Sequence, residues 1–281
     1  ANEINKHKNF ELSSVVCKDE INFAKNIIKL KDINESLNKK INDCLYVAHS
    51  PLVNVKVAKL ASNIKMPLII EKPITNNYND ALEIKELVNK EKSIIIPNSS
   101  HLFSETYEKI KSFINNNYKN IKRITIIEGD KGPFREKIHP IWDWGFHPLS
   151  LVIHLFKDKE LSNFRVFELR KNNKFGKGLV SQFNFKINSN IDAKIITGNL
   201  FKRKKRILKI ILKNNEILTN NMIDHKLYFK NEEIYKNQRS PLCCILDNFY
   251  NDIKFQNIKL SNQLIDTSCK VTKILDNFYA S

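Results

Sequence analysis

Residues 141–148 read Ile-Trp-Asp-Trp-Gly-Phe-His-Pro, and residues 71–73 upstream of them read Glu-Lys-Pro. We expect Lys72, Asp143 and His147 to meet where an α/β sheet adjoins the domain that follows it. Removing a proton from a hydroxyl while hydride leaves the same carbon requires a base that works near neutral pH and a cation beside the developing alkoxide. Histidine and lysine have these properties. The two segments together therefore predict a site for hydride transfer.

Strand and helix patterns alternate through the first part of the chain. Strands are predicted at 11–17, 44–48, 67–70 and 93–96, and helices at 19–30, 53–64, 78–91 and 101–115. Such alternation is typical of parallel βαβ units in a doubly wound sheet. We therefore predict a Rossmann-like α/β domain over residues 1–120.

The strand patterns after residue 120 are longer and richer in β-branched and aromatic residues. Strands are predicted at 121–128, 164–170, 179–187, 191–201, 207–212 and 226–229, and helices at 148–156, 241–255 and 263–279. We assign residues 121–281 to an α+β domain with a large, mostly antiparallel sheet. An open sheet of this kind favours pairing of subunits into a homo-oligomer.

The chain resembles the Gfo/Idh/MocA family of NAD(P)-dependent oxidoreductases, which includes glucose-fructose oxidoreductase and inositol dehydrogenase. The resemblance rests on Glu71-Lys72-Pro73 after a strand, on Asp143-x-Gly145-x-His147 before a helix, and on the order of the elements. It extends from about Phe10 to the C-terminus. It implies hydride transfer between NAD or NADP and a sugar, a sugar derivative or a polyol.

The resemblance also implies catalytic roles for three residues. His147 is expected to be the acid/base, Asp143 its orienting or substrate-binding partner, and Lys72 a contact to both nicotinamide and substrate hydroxyl. Pro148 is favoured at the first position of a helix, where His147 would meet the positive end of the helix dipole and stay neutral. The alternatives are a surface lysine at 72 and a histidine that only caps the helix.

Further binding residues follow from the same resemblance. The cofactor-binding set is Ala48, His49, Ser50, Pro51, Glu71, Lys72 and Lys18; the substrate-binding set is Lys72, Asn98, Asp143, His147 and Ser150, with His101 as a secondary candidate. A polar loop explains Asn98 and His101 equally well. Many family members have a carboxylate where this chain has Ser150, which leaves the specificity open. Lys18 beside Asp19 leaves the choice between NAD and NADP open.

The glycine-rich turn that opens a dinucleotide-binding domain is missing from this sequence. The six glycines are at 129, 132, 145, 176, 178 and 198, and Gly176-Lys177-Gly178 lies between two predicted strands, where a hairpin is expected. We therefore expect the 281-residue chain to be a fragment that lacks the first βα unit and binds its cofactor poorly. The alternative is a catalytically degenerate member that senses or binds a sugar or cofactor.

The formal net charge of +17 raises nucleic-acid binding as a less favoured function. The densest cluster is Lys202-Arg203-Lys204-Lys205-Arg206, between the strands at 191–201 and 207–212, where we predict a solvated hairpin turn. Lysine is otherwise spread along the whole chain.

Cysteine and histidine spacing gives no metal motif. The cysteines (17, 44, 243, 244 and 269) contain no Cys-x-x-Cys pair, and the histidines at 7, 139, 154 and 225 are not spaced as ligands, so buried thiols and no metal are predicted. No apolar run reaches the length of a transmembrane helix, and the first thirty residues are too polar for a signal peptide. We expect a soluble, cytoplasmic protein.

Overall fold

The computed structural model describes residues 2–17, 27–38, 41–172 and 174–279. They form two compact units, one of residues 1–100 with 242–273 and the other of residues 101–241 with 274–281. The C-terminal helices thus pack largely with the beginning of the chain. Lys18 and most of the predicted helix at 19–30 lie outside the described residues.

The first unit contains the parallel strands. Its elements are α1 (Asn2–Asn5), β1 (Ser14–Val16), β2 (Ile28–Leu30), α2 (Ile33–Ser36), β3 (Leu45–Val47), α3 (Asn54–Asn63), β4 (Leu68–Ile70), α4 (Tyr78–Glu91) and β5 (Ile95–Pro97). Among the described residues, β1 and β2 form one parallel pair and β3, β4 and β5 form a parallel sheet in that order.

The core of the first unit surrounds the three-stranded sheet. Every residue of β4 and β5 is buried, which is typical of parallel strands covered on both faces. Helices α3 and α4 cover this sheet, and Ile265 and Cys269 of the C-terminal helix complete the cluster. Helix α4 has the predicted bounds because the Asn77 side chain accepts the Asp80 amide (2.8 Å) and Lys92 ends the helix in a left-handed conformation.

The second unit is built around one large sheet. Its elements are α5 (Glu105–Asn117), β6 (Ile121–Lys131), α6 (Pro140–Trp144), α7 (Phe146–Leu155), β7 (Leu161–Arg170), β8 (Leu179–Ile187), β9 (Ile191–Gly198), β10 (Leu200–Leu212), β11 (Ile217–Asn221), β12 (Lys226–Phe229) and β13 (Glu232–Lys236). The C-terminal helices are α8 (Pro241–Phe255) and α9 (Lys259–Tyr279).

The strand order of this sheet is β13-β12-β11-β10-β6-β9-β8-β7, and every neighbouring pair is antiparallel except β6 with β9. Buried and half-buried residues alternate along β8, so one face carries the core and the other is more open. Helices α6 and α7 lie against the covered face. The predicted combination of a Rossmann-like α/β domain with a large, mostly antiparallel sheet is confirmed.

Two segments differ from the sequence-based expectation. Residues 202–206 are part of β10 instead of a hairpin turn, because Lys205 and Arg206 pair with Gly129 and Glu128 of β6. Ile28–Leu30 is a strand instead of the end of a helix, because it pairs with Ser14–Val16. In both cases the partner strand determines the conformation, and the local pattern does not.

The histidine-containing turn is also more helical than predicted. Asp143 lies within α6, and α7 begins at Phe146, so His147 is its second residue and does not stand before the helix. A short 3₁₀ helix (Ser100–Phe103) precedes α5, whose cap is the Ser104 hydroxyl accepting the Tyr107 amide (3.1 Å).

Candidate active site

One group of candidate residues, within the first unit, lies at the carboxyl ends of β3, β4 and β5, the edge where doubly wound sheets bind ligands. Lys72 follows β4 and is half-buried. Next to it in the chain, Glu71 accepts hydrogen bonds from the Tyr46 hydroxyl (2.5 Å) and from the Asn98 amide (2.7 Å). The Asn98 amide also donates to the Tyr46 oxygen at 2.7 Å. Three strand ends are thereby joined by one polar cluster.

Burial determines which group of this cluster stays protonated and which of its hydrogen-bonding atoms still needs a partner. Burial, and then the charge of Glu71, raise the pKa of Tyr46, so its hydroxyl stays protonated and donates to the carboxylate. The Oδ1 atom of Asn98 is buried and has no hydrogen-bond partner in the part of the chain that the structure describes. A buried acceptor of this kind is costly unless a ligand supplies a donor.

The loop predicted to lie beside the cofactor, Ala48 to Pro51, follows β3. Ala48 and His49 are exposed, whereas Pro51 is buried. The Ser50 hydroxyl accepts the Leu52 amide at 3.5 Å and caps a short 3₁₀ helix. The structure thus places this loop at the same sheet edge as Glu71 and Asn98.

A second group of candidate residues, within the second unit, lies on the covered face of the large sheet. Strand pairing aligns five polar residues in one row across β7, β8, β9, β6 and β10: Glu168, Ser181, Thr197, Glu128 and Arg206. The Thr197 hydroxyl donates to the Trp144 carbonyl at 2.8 Å and so fixes the end of α6 over the row.

His147 is held above this row by a buried carboxylate. Its Nδ1 lies 3.0 Å from Oε1 of Glu128, whose side chain is only 4 % exposed. The same oxygen lies 3.2 Å from Nε of Arg206. A carboxylate oxygen at this distance accepts a hydrogen bond from the protonated Nδ1 of His147. This arrangement leaves Nε2 as the basic nitrogen.

Two other residues predicted for the site, His101 and Ser150, contact His147. The His101 ring lies 4.5 Å from the His147 ring, centroid to centroid. Ser150 is fully buried; its hydroxyl donates to the His147 carbonyl (2.8 Å) and lies 2.9 Å from Nε2 of His101. Because the single Ser150 proton is used in that donation, His101 donates to Ser150.

Asp143 lies one turn before His147. Its Oδ2 lies 3.1 Å from Nε of Arg135, and its side chain is 21 % exposed. Asp143 therefore presents a paired, partly accessible carboxylate on the face of α6.

Local sequence patterns predict no functional role for Glu128, Arg206 or Tyr46. For Glu128 a signal exists, because it continues the buried positions Ile124 and Ile126 along β6. A carboxylate in the buried phase of a strand needs a partner and marks a candidate functional site. Arg206 belongs to a charge cluster that the sequence predicts to be a solvated turn, and Tyr46 lies within a predicted strand without a motif.

The fold also brings His7, Cys243 and Asp247 within 4.8 Å of one another, although their spacing predicts no site. His7 Nδ1 accepts the Asn9 amide (3.3 Å), so the neutral ring carries its proton on Nε2, which lies 3.0 Å from Asp247 Oδ1. That tautomer suits the hydrogen bond better than a metal ion. All five thiols are free of disulfides.

The two units are an α/β Rossmann-like domain and a domain with a large, mostly antiparallel sheet, the architecture seen in the solved structures of a putative oxidoreductase from Magnetospirillum magnetotacticum and the dehydrogenase MviM from Clostridium difficile. Neither protein-family models nor curated proteins give a sequence match. None of the helices within the described ranges combines the length and apolar character needed to span a bilayer.

Solved structures match nearly the whole chain. A dehydrogenase from Chromobacterium violaceum is 12% identical with a TM-score of 0.79, covering 99% of this chain and 90% of its own. The 3-ketoreductase KijD10 from Actinomadura kijaniata, in complex with NADP, is 10% identical with a TM-score of 0.77, covering 98% and 90%. The UDP-N-acetylglucosamine 3-dehydrogenase GnnA from Acidithiobacillus ferrooxidans is 14% identical with a TM-score of 0.69, covering 90% and 84%. At these identities the likeness establishes the fold.

Proposed function

We propose that this protein is an NAD(P)-dependent oxidoreductase of the Gfo/Idh/MocA type. It transfers hydride between the nicotinamide and a hydroxyl or ketone of a sugar, a sugar derivative or a polyol. The observation that carries the proposal is the pair of His147 with the buried Glu128, 3.0 Å apart, on the sheet of the second unit. A carboxylate that fixes the tautomer of a histidine is a common arrangement for general acid-base catalysis.

His147 is the proton acceptor in this mechanism. Glu128 accepts the Nδ1 proton, so Nε2 takes the proton of the substrate hydroxyl during oxidation and returns it during reduction. The Glu128 carboxylate stabilises the resulting imidazolium, and Arg206 lies 3.2 Å from the same carboxylate oxygen. Asp143 binds a neighbouring substrate hydroxyl, and Arg135 holds its carboxylate in place.

Lys72 stabilises the charge that develops on the substrate oxygen. An ammonium group beside a developing alkoxide lowers the energy of the transition state. Lys72 thus acts through its charge, whereas His147 acts through proton transfer. Ser150 and His101 position His147, which replaces the direct substrate contact first expected of Ser150.

The residues at the sheet edge of the first unit fit a nicotinamide cofactor. The buried Oδ1 of Asn98 is an acceptor for a carboxamide NH₂ group, and Ser50 and Glu71 lie at the same edge. When bound, NAD or NADP supplies the hydride acceptor or donor. We further propose that the open face of the large sheet pairs two subunits, since Phe167 and Leu169 of β7 are exposed there.

The test is turnover of NAD and NADP with a panel of sugars and polyols, followed by nicotinamide absorbance. His147→Asn should lower kcat by about 10²- to 10⁴-fold, the usual contribution of a general acid-base group. His225→Asn is the matched control, because His225 is exposed and has a positive φ of 56°, which asparagine tolerates. An unchanged rate for His147→Asn refutes the mechanism. Binding of cofactor and sugar without turnover favours a sensing or binding protein instead.

A further inference from the structure

Three side chains at the carboxyl edge of the parallel sheet form a closed ring of hydrogen bonds. The Tyr46 hydroxyl donates to Oε1 of Glu71 (2.5 Å), and the Asn98 side-chain amide donates both to that oxygen (2.7 Å) and to the Tyr46 oxygen (2.7 Å). Tyr46 lies in the middle of β3, Glu71 follows β4 and Asn98 follows β5. All three residues are half-buried and belong to the first unit. The ring therefore joins three neighbouring strands.

The backbone holds two members of this ring in place. The main-chain amide of Glu71 donates to the Val47 carbonyl (2.9 Å), and that of Asn98 donates to the Ile70 carbonyl (2.7 Å). Each of these bonds extends the parallel pairing by one residue past the end of a strand. The main chain thus fixes where the two side chains begin, and their torsions remain to be set. Tyr46 contacts both side chains and is the residue that sets them.

The ring favours one orientation of the Asn98 side-chain amide. As it stands, Nδ2 faces two acceptors, and both of its protons are used. If the amide turned over, Oδ1 would face the Glu71 carboxylate and the Tyr46 oxygen, whose own proton is already donated to Glu71. Acceptors that face one another without a proton repel. Oδ1 is therefore left outside the ring, and it has no hydrogen-bond partner among the residues that the structure describes.

An acceptor fixed in this way selects ligands by the hydrogen-bond donors they offer. A primary carboxamide donates two N–H groups, whereas a methyl ketone of nearly the same shape donates none. A ligand with the ketone leaves Oδ1 of Asn98 unpaired and binds more weakly. If the amide could turn over, Nδ2 would donate to the ketone oxygen and the difference would disappear.

We propose that Tyr46 is a positioning residue, which holds Asn98 as an acceptor and thereby makes this sheet edge selective for the unsubstituted carboxamide of nicotinamide. The proposal rests on the function proposed above, because it takes a nicotinamide dinucleotide as the ligand. Tyr46 itself contacts no ligand and transfers no proton. Tyr46→Phe removes only the hydroxyl, so the Asn98 amide loses one acceptor and becomes free to turn over.

NAD and 3-acetylpyridine adenine dinucleotide differ only at the carboxamide, so the ratio of their dissociation constants isolates this contact. Saturation-transfer NMR on the whole chain measures the ratio even for weak binding, and the 2′-phosphorylated pair is used if NADP binds more tightly. We expect the wild-type chain to bind NAD about three- to tenfold more tightly than the acetyl analogue, the effect of one hydrogen bond. Tyr46→Phe should bind the two about equally. An unchanged ratio in Tyr46→Phe overturns the proposal, even if both ligands bind more weakly.

Two further variants complete the binding experiment. Tyr250→Phe is the matched control, because Tyr250 is another half-buried tyrosine of the first unit, whose ring packs against that of Phe10, and its loss should leave the ratio unchanged. Glu71→Gln removes the charge that opposes the turned-over amide and should abolish the ratio as Tyr46→Phe does. It replaces Tyr46→Phe if circular dichroism shows that variant to be unfolded.

Proton exchange at the Asn98 side chain tests the ring without any ligand. Both protons of Nδ2 are hydrogen-bonded, so in the wild-type chain they should exchange with water at least about tenfold more slowly than those of the exposed Asn251. In Tyr46→Phe the exchange should approach that of Asn251. Isotopic labelling of asparagine nitrogen gives the NMR signals, and their loss in Asn98→Asp assigns them.

These results separate the role of Tyr46 from the proposed function. Equal exchange at Asn98 in the wild-type chain and in Tyr46→Phe overturns the role of Tyr46, whether or not a dinucleotide binds. Slow exchange that Tyr46→Phe removes, without binding of any dinucleotide, supports the positioning and refutes the oxidoreductase. Equal binding of NAD and the acetyl analogue by the wild-type chain overturns the selection of the carboxamide and leaves the oxidoreductase standing.

Discussion

Replacing Glu128 with glutamine removes one charge from the covered face of the large sheet and preserves the shape of the side chain. The glutamine amide can donate to Nδ1 of His147, which moves the histidine proton to Nε2, the atom that must accept a proton from the substrate. We expect kcat to fall by about 10²- to 10⁴-fold, which corresponds to roughly 3–5 kcal/mol of transition-state stabilisation. Glu128 acts through His147 and is a positioning residue.

The same substitution has a second, smaller effect on stability. Arg206 loses its charged partner at 3.2 Å, but its side chain is 32 % exposed and water can solvate part of it. We therefore expect the free energy of unfolding to fall by about 1 kcal/mol or less, because the contact is an ion pair without a hydrogen bond from Arg206 Nε and one member is partly exposed. Urea denaturation measures this loss, and kcat is compared at temperatures where both proteins are folded.

The pH profile separates positioning from simple destabilisation. A carboxylate next to Nδ1 stabilises the protonated ring, so the rising limb of kcat/KM against pH should move to lower pH in Glu128→Gln. Adding Glu128→Gln to His147→Asn should cost little more than His147→Asn alone, since the two residues act as one unit. Glu216→Gln is the control, because Glu216 forms an exposed pair with Lys230 and should leave kcat unchanged. An unmoved pH limb with normal kcat refutes the assigned role of Glu128.

Three further predictions follow from other residues. Lys72→Met should lower kcat/KM at least as much as His147→Asn, about 10²-fold or more, because the charge beside the alkoxide is lost. Steady-state kinetics measures this effect, and an unchanged circular dichroism spectrum shows that the variant is folded. A normal rate excludes Lys72 from the mechanism. Burial raises the pKa of Asp252 from 3.8 to about 6. The free energy of unfolding therefore falls as the pH rises from about 3.8 to about 6 and stays lower above that range. Asp252→Asn should add up to about 3 kcal/mol to it at pH 8 and little at pH 4, and equal urea midpoint shifts at both pH values contradict this. Burial also raises the pKa of Cys44 and Cys269 to about 11. Both thiols should therefore react with iodoacetamide at least tenfold more slowly in the native protein than in urea. Mass spectrometry of the alkylated peptides measures the two rates.

Elements with a strong local pattern were predicted with their correct limits. The bounds of α4, β8, β12 and α8 agree with the structure to the residue. These segments combine a clear apolar period with a cap, a turn or a proline at their ends, so local sequence is sufficient to define them.

Segments whose conformation depends on a distant partner were not predictable in this way. Residues 202–206 carry five positive charges and resemble a turn, but the backbone of Lys205 and Arg206 pairs with β6, more than seventy positions earlier. The run is a strand, so its side chains alternate between the two faces, which argues against a single nucleic-acid patch. Strands β11 and β13 were missed because each has only five residues, and β13 is almost entirely exposed.

The candidate site was predicted in part for the same reason. His147, Asp143 and Lys72 stand out because they belong to recognisable short motifs. Glu128 and Arg206 belong to no motif, and their importance follows from a buried row that exists only after five strands have paired.

The row of five polar residues makes the proposed chemistry depend on the number of residues in each strand. Deleting or inserting one residue within β6, β8, β9 or β10 moves every following side chain of that strand to the other face. Glu128 or Thr197 would then leave the covered face even if the sheet itself still formed. Insertions and deletions should therefore be tolerated at turns such as Asn214–Asn215 and Lys230–Asn231, which lie between strands on the far side of β10 from the row. Peptide tags and labels for this protein belong at those turns, and related sequences that retain the chemistry should keep a constant spacing within the four strands.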